Sequence, residues 1–171
     1  MKIWILAVDQ ASRGRVGEAA PRIAEDFHRW GVTNVEVDIT SDPSKVPPPD
    51  RFTVIVRAEA NRSMTDSAVF GKHYALASGV TVNTELANTA QSLRNTTDHE
   101  IVHVAQPSFT RLIGKLWNGD HSSDPSDLMY HRYDPLRPGN PQLSQGEQAN
   151  LQRRFNAAGE QSNVSVIDRD G

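Results

Sequence analysis

The chain has 171 residues, 37% of them hydrophobic, with 18 basic and 21 acidic side chains and a formal net charge of −3. That length and apolar content suit one domain with its own core, and the scattered, nearly balanced charges argue against a nucleic-acid or anionic-membrane footprint. Cysteine is absent, which excludes disulfides, thiolate metal sites and a cysteine nucleophile, so any metal must be held by histidine and carboxylate.

Residues 3–9 are an apolar run read as a buried first strand. The run stops at Asp9, too soon for a signal-peptide core, and no stretch approaches the roughly 18 apolar residues of a membrane helix. The expectation is a chain without signal peptide or membrane span, either cytoplasmic or a mature exported fragment. Val16, Ala20, Ile23, Ala24, Phe27 and Trp30 recur at helical spacing, and Gly31 closes that helix. Pro21 suits only a first turn, which moves the expected start towards Ala20. Residues 32–40 alternate as a second strand, 41–50 with four prolines form a loop, and 52–58 are apolar enough for a central third strand. Residues 61–67 read as loop, and 73–77 and 80–84 as short strands joined by a tight Ser78-Gly79 hairpin. This order predicts an α/β (α+β) architecture, a twisted mixed sheet with a helix against one face.

The next helix opens within 90–97 and ends before Pro107, because proline lacks an N–H and disfavours helix at Gln106. It carries His99-Glu100-Ile101-Val102-His103. Residues four apart share a helix face, so His99 and His103 can turn their imidazoles to one metal ion, with Glu100 beside it as a base for water. Phe109, Leu112, Ile113, Leu116 and Trp117 form the apolar stripe of a short further helix, read as core packing. Residues 120–140 have three prolines and no periodicity. Ser144 and Glu147 make a capping box for a last helix through Phe155, and the polar tail from Asn156 is expected to fray.

A catalytic zinc takes three protein ligands and keeps one position open. His99 and His103 supply two. His121, 18 residues beyond His103, leads for the third, with Asp120 and Asp124 as carboxylate competitors. His28 and His73 are isolated in sequence and read as non-ligands.

These motifs resemble the metzincin peptidases, whose signature is HExxHxxGxxH followed by a methionine turn, and most of all the matrixins. His121-Ser-Ser-Asp-Pro-Ser-Asp-Leu-Met129-Tyr130 is similar to the matrixin segment from third histidine to methionine turn, including the spacing of eight residues to Met129. Tyr133 falls at the second tyrosine of that turn, and Leu143-Ser144 with Glu147, Leu151 and Gln152 resembles the start of the family's final helix. The chain departs from the pattern at Gln106-Pro107, where the family has glycine. About twelve residues are inserted before His121, and His131 stands where matrixins carry proline.

The resemblance implies one catalytic zinc on His99, His103 and His121, Glu100 as general base, and Met129 as an apolar floor beneath the metal. It also implies a peptide substrate laid as an extra strand along 73–77, facing Ala75 and Leu76, with His131 and Tyr133 near the substrate or the oxyanion. No counterpart of the calcium and structural-zinc loop is present. The implied organisation is one catalytic domain over 1–155 (upper subdomain 1–106, insertion 107–119, lower subdomain 120–155) and a flexible tail over 156–171. The expected function is a zinc-dependent endopeptidase acting on peptide or protein, with no nucleic-acid or membrane partner. Two rivals stand beside it: a catalytically silent binding protein of the same fold, and a metallohydrolase whose third ligand is a carboxylate, for which Glu147 is the best candidate.

Overall fold

The structure, a computed structural model, describes residues 1–74, 78–107, 121–130 and 134–171. The first strand β1 (Lys2–Ala7) lies at the centre of a six-stranded sheet. It is flanked in parallel by β2 (Asn34–Thr40) and β3 (Thr53–Glu59). Outside β3 runs β5 (Gly79–Asn83), also parallel, and at that edge lies the short antiparallel β4 (Gly71–His73). The opposite edge is β6 (Asn163–Asp168), parallel to β2. The α/β mixed sheet expected from the sequence is therefore present, in an arrangement consistent with a metzincin-like fold.

Period-two alternation builds the core. Ile3, Ile5, Val35, Val37, Val54, Val56, Val80 and Val82 are all buried in one cluster. Against them pack α1 (Gln10–Arg29), lying over β1, β2, β3 and β6, and α3 (Ala90–Ala105), lying over β4 and β5; the two helices also contact each other. On the opposite face of the sheet Lys2 pairs with Glu36 at 2.9 Å, and Arg169 lies over the Trp4 ring at 5.6 Å and binds Asp38 at 2.5 Å. The last helix, α4 (Gln145–Phe155), inserts Leu151 and Phe155 into the core. Among the described residues no helix is long and apolar enough to cross a membrane.

Four local expectations are corrected. α1 begins ten residues earlier than Pro21 suggests, because Asp9 caps it, its carboxylate accepting from the Ser12 N–H at 2.7 Å. Burial of Val16, Ala19, Ala20 and Ile23 in the core outweighs the hydrogen bond lost at an interior proline. Residues 62–66 form a short helix, α2 (Arg62–Asp66), capped by the Asn61 side chain. Ser78-Gly79 is not the turn of the edge hairpin, since β5 starts at Gly79 and the Tyr74 N–H already donates to the Gly79 carbonyl at 3.1 Å. The segment expected to fray from Asn156 instead supplies β6. Asn156 accepts from the Thr33 N–H and donates to the Gly31 carbonyl, both at 3.0 Å, holding the chain beside β2.

Gly31 behaves as expected of a helix stop and more. Its φ is +89°, and a Cβ there would lie 2.3 Å from the Gln152 side-chain nitrogen. That nitrogen donates to the Trp30 carbonyl at 3.0 Å, which docks α4 on the end of α1. Only glycine meets both demands.

Candidate metal and catalytic site

α3 is a polar helix in a buried place. Every residue from Ser92 to Ala105 is buried, including Arg94, Asn95, Asp98, His99, Glu100 and His103. Polar groups withdrawn from water need partners, and the partners here define the site. Thr89 caps the helix through a reciprocal box with Ser92. Leu93, Ile101, Val102 and Val104 hold it in the core. Gln106 is its C-cap, directly before Pro107, as the proline predicts.

His99 and His103 share one face and bring their Nε2 atoms to 3.1 Å from each other. His121 completes the group. Its ring centroid lies 5.5 Å from that of His99 and 4.8 Å from that of His103, and one ligand atom from each of the three lies within 4.8 Å of the others. Among the described residues these three histidines are the set able to hold a metal ion. The 3.1 Å between the two helical Nε2 atoms suits ligands that share one zinc at about 2.0–2.1 Å each.

The imidazoles are also prepared for ligation. The Nδ1 of His99 lies 3.0 Å from the Leu128 carbonyl, and that of His103 lies 3.2 Å from the Gln106 side-chain oxygen. Both partners are acceptors, so each Nδ1 carries the proton and each Nε2 keeps its lone pair. Gln106 in turn donates to Glu147 at 3.2 Å. Burial lowers the pKa of His99 and takes that of His103 well below its usual value, with the neighbouring imidazoles adding to the effect at His103. Neutral imidazole is the form that binds metal.

Loop backbone rather than sequence spacing places His121. The Ser122 N–H donates to the Met129 carbonyl at 2.6 Å, and the Leu128 N–H to the Gln142 carbonyl at 2.7 Å. The Asp127 carboxylate receives the Met129 N–H at 2.9 Å. These bonds fold 121–130 back under α3 and bury Met129 completely. The carboxylate competitors go elsewhere. Asp124 is exposed and accepts from Ser126, and Glu147 engages Gln106. Asp120, Ala75, Leu76, His131, Tyr133 and the apolar stripe 109–117 lie outside the described residues.

Glu100 pairs with a fourth histidine. Its Oε2 is 3.0 Å from the Nδ1 of His73, whose ring stacks on His103 with centroids 4.5 Å apart and planes at 25°. His73, read from the sequence as isolated, therefore stands against the candidate site although it is not in the metal-capable set. Gly71 and His73 lie on one face of β4 by strand alternation. Gly71 approaches so closely that an added Cβ would come within 2.7 Å of both Glu100 Cγ and Thr96 Cγ2. The Gly-x-His spacing on an edge strand was the available signal, but it shows its meaning only once the strand is laid on α3.

No protein-family model matches the chain, and no curated protein matches it. Among solved structures, a zinc-dependent peptidase from Methanocorpusculum labreanum is similar, with a TM-score of 0.55 and 15% identity over 88% of this chain and 100% of that one. At that identity the likeness is one of fold.

Proposed function

We propose that this chain is a zinc-dependent endopeptidase of the metzincin kind, most like the matrixins, acting on peptide or protein. The observation that carries the reading is the convergence of His99, His103 and His121 on one point with Glu100 beside them. The zinc-dependent peptidase that shares the fold supports it.

His99, His103 and His121 would hold the metal. Bound there, a zinc ion would supply Lewis acidity towards the scissile carbonyl and would lower the pKa of water, so that it gives up its proton near neutral pH. Glu100 takes the proton of the attacking water and delivers it to the leaving amine nitrogen as the C–N bond breaks. The Leu128 carbonyl and the Gln106 side chain hold the two helical imidazoles in the ligating tautomer. Met129 packs below as an apolar floor. β4 is an edge strand, so an extended peptide can add to it through main-chain hydrogen bonds.

Zinc content of the purified protein, wild type beside His121→Ala, tests the reading after dialysis against a weak chelator. About one zinc per chain in the wild type and a large loss in the variant are expected. Equal zinc in both would remove His121 as ligand and the metzincin reading with it. No zinc in either would favour a silent binding protein.

A further inference from the structure

We infer that His73 is a positioning residue for Glu100, holding the carboxylate that carries the proton. The inference rests on the peptidase reading above and adds to it a residue outside the metal-binding motif.

Three observations converge on this pair. His73 is buried and places Nδ1 3.0 Å from Glu100 Oε2. A carboxylate only accepts, so the imidazole donates from Nδ1. Its Nε2 is buried without a hydrogen-bond partner among the described residues. Among the described residues, the bond to Glu100 is thus the ring's one hydrogen bond. The second observation is the ring stack on His103, which fixes the imidazole plane relative to the helix that carries Glu100. The third is Gly71. A Cβ there would lie 2.9 Å from Glu100 Oε1 and 2.7 Å from Cγ, so the β4 backbone closes one side of the glutamate while His73 closes another.

A glutamate side chain has three rotatable bonds, and a base displaced by about 1 Å loses on the order of 10²-fold in rate. With Oε2 engaged by His73, Oε1 is the oxygen left to exchange a proton with water and amine. β4 thereby has two tasks: its outer edge is the proposed strand partner of the substrate, and its inner face holds the base. A plain structural histidine predicts something different. It would serve fold stability and leave the rate constant of a folded variant untouched.

The test uses His73→Phe, which keeps a ring against His103 and removes the donor, and His73→Asn, whose amide offers a donor close to the Nδ1 position. For a peptide that the wild type cleaves, His73→Phe is expected to lower kcat about 10- to 100-fold, with KM and zinc per chain unchanged, and His73→Asn to restore most of it. In a Glu100→Gln background His73→Phe is expected to add nothing, because its effect passes through the carboxylate. An unchanged kcat, an equal further loss in the Glu100→Gln background, or loss of zinc in His73→Phe would each overturn the inference while leaving the peptidase reading standing. A wild type that binds zinc and cleaves no peptide would overturn the peptidase reading, and the inference with it. Nitrogen-15 NMR of the histidine rings needs no His73 variant. It should find His73 protonated at Nδ1 with a signal that moves in Glu100→Gln, and a proton on Nε2 with no response to that change would overturn the pair.

Discussion

α3 buries polar side chains along its whole length, but its first turns and its last turns use them differently. Near the start, Arg94 makes a two-pronged contact with Asp26 of α1, Nε to Oδ2 at 2.5 Å and Nη2 to Oδ1 at 2.7 Å, with Arg94 3% exposed and Asp26 fully buried. Asn95 adds bonds to the Pro135 and Arg137 carbonyls at 3.0 and 3.1 Å. Near the end, His99 and His103 spend one nitrogen each on a backbone or amide oxygen and direct the other to a common point. The front of the helix closes its charges upon the protein and fixes α3 to α1. The back brings two imidazole nitrogens together and sets the Glu100 carboxylate against His73. Burial serves both, since it strengthens the ion pair in front and keeps the imidazoles neutral behind.

The largest expected effect breaks the back half alone. Glu100→Gln should lower peptide cleavage by about 10²- to 10⁴-fold, with zinc content and thermal midpoint unchanged, because no metal ligand is altered. An activity equal to wild type would end the role given to Glu100. Breaking the front half should do the reverse. Arg94→Ala leaves Asp26 buried with less compensation, a change that costs about 3–5 kcal/mol in such settings. The lower end is expected, since Arg29 still reaches Asp26 at 2.7 Å. Urea unfolding measures it, and a loss within experimental error would show that the pair does not hold the helices together.

Acidity sharpens the same contrast. His99 and His103 have lowered pKa values in the folded chain, whereas unfolded histidine titrates near 6.5. Below about pH 6.5 the unfolded state binds more protons than the folded one, so the metal-free protein should lose stability as pH falls and hold this contribution above that value. A thermal midpoint flat between about pH 5 and 8 would contradict this. The smallest effect concerns Asp98, which is fully buried. Burial, followed by the nearby Asp26 charge, raises its pKa well above 3.8. Here the folded state keeps a proton that the unfolded state releases, so the contribution is present below 3.8 and is lost as pH rises through the raised value. Asp98→Asn should therefore be as stable as wild type or more so at neutral pH, and fall behind only in acid. A clear destabilisation at neutral pH would mean that Asp98 is charged and matched.

Some elements were open to reading because one rule governed them. Apolar runs and alternation marked β1, β2 and β3, Pro107 marked the end of α3, and Ser144 with Glu147 marked the start of α4. Elsewhere local rules pointed the wrong way. Pro21 hid half of α1, and the polar composition after Asn156 hid β6, because in both cases contacts with distant segments outweigh local preference. The role of His73 is hidden in the sequence for a similar reason. Nothing near it in the chain is a partner, and Glu100 meets it only when β4 lies across α3.

What the sequence by itself determined was the pair on the helix: any α-helix through 99–103 sets two histidines on one face with Glu100 next to them, since 3.6 residues per turn leaves no alternative. The third imidazole and the histidine beside the base were decided by tertiary structure. A loop and an edge strand have no such period, and among the described residues the backbone bonds of Ser122 and Leu128 and the close approach of Gly71 bring their side chains to α3.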